Sequence, residues 1–240
     1  MTARKESRPH SDRLVAAFAL AALVDLVSLA VGFDPGHTVA KPLLMPLLAA
    51  CAGVRGAPRL LVLALLFGWG GDTLLLSDAD PAFLAGMASF AAGHVCYVAL
   101  FLRNSRRGGY GRYGASRVRA LLPAPTYTVA LVTTVTLLWP DLPADLRISV
   151  AGYSTLLTAM AYTAATRLGP VVGTGGALFL LSDTLIATGV ADWPQLPRPE
   201  LWIMLTYITA QFLLAAGTLR ALEARPGPMA TYGEVRSTTP

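Results

Sequence analysis

The sequence predicts an all-α integral membrane protein, built as a bundle of eight transmembrane helices. Of its 240 residues, 54% are hydrophobic and only 14% are charged, whereas a typical soluble domain has roughly 25% charged residues. The mean hydropathy is +0.55. So few charges could not cover a soluble protein of this size, and so much apolar mass excludes a disordered chain.

Eight stretches of the chain approach the length of about 20 apolar residues that a helix needs to cross a bilayer. They cover residues 14–32, 39–54, 59–77, 81–102, 118–139, 145–166, 171–190 and 200–221. The second stretch is short and contains Pro42 and Pro46, so we expect a kinked or tilted helix there. Turn residues, such as Asp34-Pro35-Gly36, separate the apolar stretches.

The distribution of charge supports this count. If the N-terminus is cytoplasmic, the inner segments hold 16 of the 19 basic residues, and only Lys41, Arg147 and Arg198 lie on the outer side. Cytoplasmic loops of membrane proteins carry such an excess of basic residues. A different number of spans would break this alternation, so both termini are predicted to be cytoplasmic.

The chain divides into a basic N-terminal tail (1–13), a transmembrane domain (14–222) and a C-terminal tail (223–240) that is predicted to be disordered. The first apolar stretch is longer than the core of a signal peptide, so we expect it to be retained. The basic loop 103–119 is interpreted as a contact with lipid headgroups. A nucleic-acid site is not expected, because aromatic residues are not interleaved there. The choice of Arg over Lys, with Asn104 the single Asn, indicates a GC-rich bacterial genome and hence a cell membrane.

Ionisable groups inside apolar spans are the first candidates for chemistry, because each is costly unless it faces the bundle interior. Asp25, Asp72 and Asp183 lie in such positions. The string Gly71-Asp72-Thr73-Leu74 in the third span is echoed by Ser182-Asp183-Thr184-Leu185 in the seventh. The echo suggests a weak parallel repeat of four and four helices. Asp25 has no echo, and we expect it to bond to a neighbouring helix.

Asp72 and Asp183 are the predicted catalytic pair. Two carboxyls that face each other in a low-dielectric cavity cannot both ionise at low cost, so one is expected to keep its proton while the other stays a carboxylate. This places a general acid beside a base, as in glycosidases. The alternative is that each carboxyl only bonds to a neighbouring helix.

Other polar side chains lie in the same spans and need partners there. Lys41 could bind a phosphate, pair with either aspartate or extend to the headgroups. Interhelical hydrogen bonds are the alternative for the remaining candidates. These are His94, Tyr97, Tyr153, Tyr207 and Gln211.

Several other kinds of site are weakly supported. Cys51 and Cys96 lack metal-site spacing and are interpreted as small buried hydrophobes. One intramembrane histidine cannot build a three-histidine zinc site, although a His-Asp-Asp site stays open. Ser182 beside Asp183 does not form a triad, because adjacent helix residues point to different faces. We therefore predict neither a metal nor a cofactor.

These residues together resemble the YhhN-like lysoplasmalogenase family of eight-helix membrane proteins. The resemblance runs from about residue 41 to 215 and depends on the order of short strings along the spans. The strings are Lys41-Pro42, Gly71-Asp72-x-Leu74-Leu75, Phe90-x-x-x-His94-x-x-Tyr97, Tyr153 with Met160, Gly176-Ala177-x-Phe179-x-x-Ser182-Asp183, and Tyr207-x-x-x-Gln211.

The resemblance implies hydrolysis of the vinyl ether of a lysoplasmalogen to a fatty aldehyde and a glycerophospho-base. The residue chemistry suits this reaction, which needs a protonated carboxylic acid, a carboxylate and one water. We expect Asp72 and Asp183 to divide these roles and Lys41 to hold the phosphate. The rest of the expected substrate site comprises His94, Tyr97, Tyr153, Ser182, Tyr207 and Gln211.

Two other functions remain open on the sequence alone. A small transporter or channel could use the aspartates to relay protons or bind a cation. A metal-dependent intramembrane hydrolase could act on an amide or ester bond of a lipid. The expected partners are the lysophospholipid substrate and membrane lipids, and the sequence does not determine the oligomeric state.

Overall fold

A computed structural model describes residues 3–77, 79–106 and 123–224, and the side chains of 10–104 and 123–224 apart from residue 78. All regular elements in these ranges are α-helices. In chain order they are α1 (Ala3–Val31), α2 (Asp34–Val54), α3 (Arg59–Leu74), α4 (Asp80–Arg106), α5 (Ala124–Leu138), α6 (Arg147–Arg167), α7 (Pro170–Val190) and α8 (Pro199–Glu223). The all-α prediction is confirmed for these ranges.

The helix ends differ from the predicted spans in several places, one of which is α4, which continues to Arg106 rather than ending at residue 102. Helix α1 begins at Ala3, inside the predicted N-terminal tail, and α2 begins at Asp34 rather than at residue 39. Helix α3 ends at Leu74, and 75–77 form a turn. Most of the predicted basic loop 103–119 and nearly all of the C-terminal tail lie outside the described residues.

Five of the described helices are long and apolar enough to cross a membrane, namely α1, α2, α4, α7 and α8. Helices α3 and α5 contain 16 and 15 residues, below the usual spanning length, and α6, with 21 residues, is not among the five. The protein is therefore a multi-pass helical membrane protein by length and composition. The exact count of eight spans, the cytoplasmic termini and the parallel repeat stay predictions.

Seven helices pack into a closed ring. Helices α1, α2, α3, α4, α6, α7 and α8 contact each other in that order, and α8 also contacts α1 and α2. Helix α5 packs outside the ring against α6, with a smaller contact to α7. Polar side chains that point from these helices to the ring interior are removed from lipid and must find partners on neighbouring helices.

Glycines allow the close helix approaches that position the candidate residues. A Cβ on Gly71 would lie 2.4 Å from the Phe90 ring, and one on Gly176 would lie 2.8 Å from the Cα of Ala161. A Cβ on Gly68 would lie 3.0 Å from Nε2 of Gln211. At these positions the absence of a side chain lets neighbouring helices approach closely, as small residues do in membrane helix bundles.

Candidate active site

Asp72 is buried near the end of α3, with 2% of its surface exposed. Its Oδ2 accepts a hydrogen bond of 2.8 Å from the hydroxyl of Tyr207 on α8. The Tyr207 hydroxyl in turn accepts a bond of 3.3 Å from Nε2 of Gln211, one helical turn further along α8. This carboxyl is therefore satisfied by a neighbouring helix, as a buried ionisable group must be.

Tyr97 extends this network to α4. Its hydroxyl donates to Oε1 of Gln211 at 2.8 Å, and Tyr97 and Gln211 are both 1% exposed. Gly68 leaves the space that the Tyr207 and Gln211 side chains occupy. The four residues Asp72, Tyr207, Gln211 and Tyr97 form what we call the Asp72 network, which joins α3, α8 and α4.

Asp183 belongs to a second network. The hydroxyl of Tyr153 on α6 donates to Oδ2 of Asp183 on α7. Because that hydroxyl uses its hydrogen in the bond to the Asp183 carboxyl, its oxygen must accept the bond of 3.1 Å that joins it to Nε2 of His94. The bonding pattern thus assigns the imidazole hydrogen to Nε2. We call Asp183, Tyr153 and His94 the Asp183 network.

His94 has one ring nitrogen without a partner. The residue is 1% exposed, and its Nδ1 makes no hydrogen bond in the described structure. With the hydrogen on Nε2, Nδ1 presents a lone pair. That lone pair could accept a hydrogen bond from a small donor such as water.

Aromatic rings lie between the two networks. Phe179 contacts His94 edge to face, with ring centroids 4.7 Å apart, and contacts Tyr207 at 5.4 Å. Phe90 contacts both Phe179 and Tyr207, at 6.3 and 5.9 Å. Neither phenylalanine can carry a hydrogen bond from one network to the other.

The two aspartates therefore lie inside the same bundle with different immediate partners. Each accepts a hydrogen bond from its own tyrosine, and no hydrogen bond in the described residues links the two carboxyls. The catalytic roles of the two aspartates stay predictions.

A cavity reaches Asp183 but not Asp72. It encloses about 70 Å³ between α3, α4, α5, α6 and α7, and its walls are mainly apolar side chains such as Phe83, Met87 and Leu131. Asp183 and Tyr153 both line it. The carboxyl of Asp183 and the phenol of Tyr153 thus border a space that suits a hydrocarbon chain.

Lys41 lies in the second turn of α2 and is partly exposed. It makes no ion pair within 4.0 Å in the described residues. Ser182 does not face the cavity, since its hydroxyl donates to the backbone carbonyl of Ile203 on α8 at 3.0 Å. This contact joins α7 to α8.

Asp25 bonds to a neighbouring helix, as expected from the sequence, although its partner His37 was not predicted. Asp25 on α1 is 0% exposed, and its Oδ1 lies 2.8 Å from Nδ1 of His37. His37 was expected in a loop, and this was wrong, because α2 begins at Asp34 and places His37 in its first turn. Pro35 in the next position favours a helix start and was the available signal.

The described residues include two free cysteines and no cluster of metal-binding side chains. Cys51 is a buried free thiol and Cys96 a partly buried one, so the interpretation as buried hydrophobes is confirmed for Cys51 and in part for Cys96. Among the described residues, no three His, Cys, Asp or Glu side chains come close enough to hold a metal ion together.

Comparison with known proteins identifies the family. The YhhN family model matches residues 36–218, a range that includes every residue of both networks. The chain belongs to the YhhN family. The match begins in the first turn of α2 and ends in α8, so α1 lies outside the matched range.

Named relatives of this YhhN protein come from mammals and mycobacteria. It is 33% identical to lysoplasmalogenase TMEM86B of Sus scrofa over 163 residues, which cover 68% of this chain and 65% of the pig protein. It is also 33% identical to lysoplasmalogenase TMEM86B of Homo sapiens over 166 residues, covering 69% and 66% of the two chains. The matches thus span slightly less than two thirds of the mammalian proteins.

A longer match is found with a lysoplasmalogenase of Mycobacterium tuberculosis, which is 31% identical over 198 residues, covering 76% of this chain and 71% of the relative. No solved structure matches the chain.

Proposed function

We propose that this YhhN protein hydrolyses the vinyl ether bond of a lysoplasmalogen, releasing a fatty aldehyde and a glycerophospho-base. The observation that carries the proposal is the cavity that Asp183 and Tyr153 line with otherwise mostly apolar walls. The names of the relatives support the same reaction. An alkenyl chain would occupy the cavity with its ether end at the carboxyl.

The reaction proceeds by protonation of the alkene. A carboxylic acid gives its proton to the vinyl carbon farther from oxygen, and the carbon bonded to oxygen becomes an oxocarbenium ion. Water adds to that carbon while a base removes a proton from the water, and a hemiacetal forms. The hemiacetal hydroxyl then loses its proton and becomes the aldehyde carbonyl, while the bond to the glycerol oxygen breaks and that oxygen takes up a proton and leaves as a hydroxyl.

Asp183 is assigned the role of the general acid, because it lines the cavity in which the alkene would lie. Tyr153 and His94 hold its orientation through their hydrogen bonds. Asp72, which does not line the cavity, is assigned the role of the carboxylate, and it is held by Tyr207, which Gln211 holds in turn. General acid and base groups each contribute typically 10²–10⁴-fold in rate.

Three further assignments complete the substrate site. Lys41 is assigned to the headgroup phosphate, because its ammonium makes no ion pair in the described residues. The free Nδ1 of His94 is assigned to the attacking water. Tyr97 and Ser182 have supporting roles through their bonds to Gln211 and to α8.

The test is release of aldehyde by the purified protein in detergent. A 1-alkenyl lysophospholipid is compared with the 1-alkyl analogue, which has a saturated ether. Only the alkenyl lipid should be cleaved, because a saturated ether cannot form an oxocarbenium ion by protonation of carbon. Cleavage of both lipids, or ion flux in proteoliposomes without aldehyde release, would contradict the proposal.

Reaction in D₂O tests the protonation step itself. The proton added to the alkene becomes a hydrogen on carbon 2 of the aldehyde. We therefore expect one deuterium at that carbon when the aldehyde is reduced as it forms and analysed by mass spectrometry. An aldehyde without deuterium would overturn the mechanism while leaving the activity intact.

A further inference from the structure

A second cavity lies at the other end of the bundle, between α1, α2 and α8. It has a volume of about 260 Å³. It is lined by α1 between Asp12 and Phe18 and by the last turns of α2 and α8. Asp72 and Lys41, by contrast, lie where α3 ends and α2 begins. Because consecutive helices run in opposite directions, the two sites are at opposite ends of the helices.

The inner wall of this cavity is apolar. Phe18 and Phe212 stack with ring centroids 6.1 Å apart, and Leu48 and Leu219 line the same space. Small side chains on α8, including Ala216, leave it open. Protein interiors are normally close-packed, so an opening of this size between three helices leaves room for an apolar group from outside the chain.

Two arginines line the polar rim. Arg55 directly follows Val54, the last residue of α2, and Arg220 lies in the last turn of α8. Both are exposed, and neither guanidinium makes an ion pair in the part of the chain that the structure describes. The acidic residue at the rim is Asp12, whose Oδ1 accepts a bond of 3.4 Å from Ser11. These three side chains together carry one net positive charge.

We propose that this cavity binds an anionic phospholipid, with the phosphate between Arg55 and Arg220 and one acyl chain against Phe18, Leu48 and Phe212. Planar guanidinium groups match the geometry of phosphate oxygens and can bind them in pairs. The positive rim favours a headgroup with net negative charge over a zwitterionic one. The apolar wall favours a lipid over free phosphate, because phosphate alone would leave that wall uncovered.

Thermal unfolding of the delipidated full chain in detergent tests this proposal. The added probes are dioleoylphosphatidylglycerol, dioleoylphosphatidylcholine with the same acyl chains, and inorganic phosphate. We expect the anionic lipid to raise the unfolding midpoint by several degrees, the zwitterionic lipid to raise it less, and phosphate to leave it unchanged. Equal shifts with the two lipids, or the full shift with phosphate alone, would overturn the proposal.

Variants then locate the effect. R55Q/R220Q should lose the difference between the two lipids, whereas R13Q/R59Q should keep it, because Arg13 and Arg59 are exposed basic residues that do not line the cavity. Ala216→Phe, which keeps both arginines and fills the apolar wall, should also lose it. Persistence of the difference in R55Q/R220Q, or its equal loss in R13Q/R59Q, would refute the assignment to this cavity.

Discussion

At the scale of single residues, tyrosines determine how the two aspartates are held. Tyr153 donates to Asp183 and Tyr207 donates to Asp72, so each carboxyl has a neutral donor on another helix. A neutral donor orients a carboxyl without adding a second charge to the bilayer. The two sites differ in access, because only Asp183 lines the apolar cavity.

Removal of either carboxyl should abolish most of the proposed activity. We expect Asp183→Asn and Asp72→Asn each to lower kcat at least about 100-fold, the lower end of the effect of a general acid or base. Aldehyde release measures the loss. Asp192→Asn is the matched control, because Asp192 is an exposed loop residue at φ 54°, a conformation that Asn also tolerates.

The pH profile of the wild-type protein should be bell-shaped. The rate falls at low pH because the carboxylate that acts as base gains a proton, and at high pH because the acid has lost its proton. In each aspartate variant, the pH profile of the residual activity should lack the limb that depends on the replaced carboxyl. Full activity in either variant, with an unfolding midpoint like that of the wild type, would remove that aspartate from the mechanism.

Tyr153→Phe isolates the hydroxyl that joins Asp183 to His94. The ring that packs on His94 at 5.5 Å is kept, while the buried His94 imidazole and the partly buried Asp183 carboxyl lose their shared partner. We expect kcat to fall about tenfold or more, because an unsatisfied buried polar group costs roughly 1–3 kcal/mol. Tyr127→Phe on α5 is the control, and an equal loss in both variants would show that the Tyr153 hydroxyl has no special role.

At the scale of helices, α4 has the central place in the site. His94 and Tyr97 are three residues apart and therefore share a face of the helix. One joins the Asp183 network, and the other joins the Asp72 network. A shift of α4 would thus disturb both carboxyls at once.

Gly71→Ala tests the approach of α3 to α4. A Cβ at this position would lie 2.4 Å from the Phe90 ring, which packs on Phe179 and Tyr207. Overpacking of this kind costs typically 1–3 kcal/mol, so we expect a lower unfolding midpoint and lower activity. Gly152→Ala is the control, because nothing lies within 4 Å of its Cβ, and it should be neutral or stabilising.

At the scale of the whole molecule, two cavities lie at opposite ends of the bundle. One is bordered by α5 and by Asp183 and Tyr153, and the other lies between α1, α2 and α8. If the ring spans the bilayer, the two cavities serve different leaflets. Our two proposals therefore have independent tests, one by aldehyde release and one by thermal unfolding.

Thiol labelling in intact cells tests the predicted orientation. In a background with Cys51 and Cys96 replaced by Ser, a thiol at exposed Leu196 between α7 and α8 should react with a membrane-impermeant maleimide. A thiol at exposed Glu223 should react only after lysis. The reverse pattern, or labelling of both sites in intact cells, would refute cytoplasmic termini with eight spans.

The sequence by itself determined the class of the protein and the candidate residues. Apolar composition and the alternation of charge predict a helical membrane protein, and the rarity of ionisable groups in apolar spans picks out Asp72 and Asp183. The order of short strings was enough for a resemblance to the YhhN family, because such strings lie within single helices. These inferences depend only on neighbours along the chain.

Only the tertiary structure decided which side chains meet. It separated the two aspartates into different networks, paired Asp25 with His37, and opened the cavity at Asp183 alone. The physical reason is that a hydrogen bond between helices depends on the rotation and depth of both helices. The packing of the helices sets their rotation and depth. Packing brings together residues that are far apart in the sequence, such as Asp72 and Tyr207.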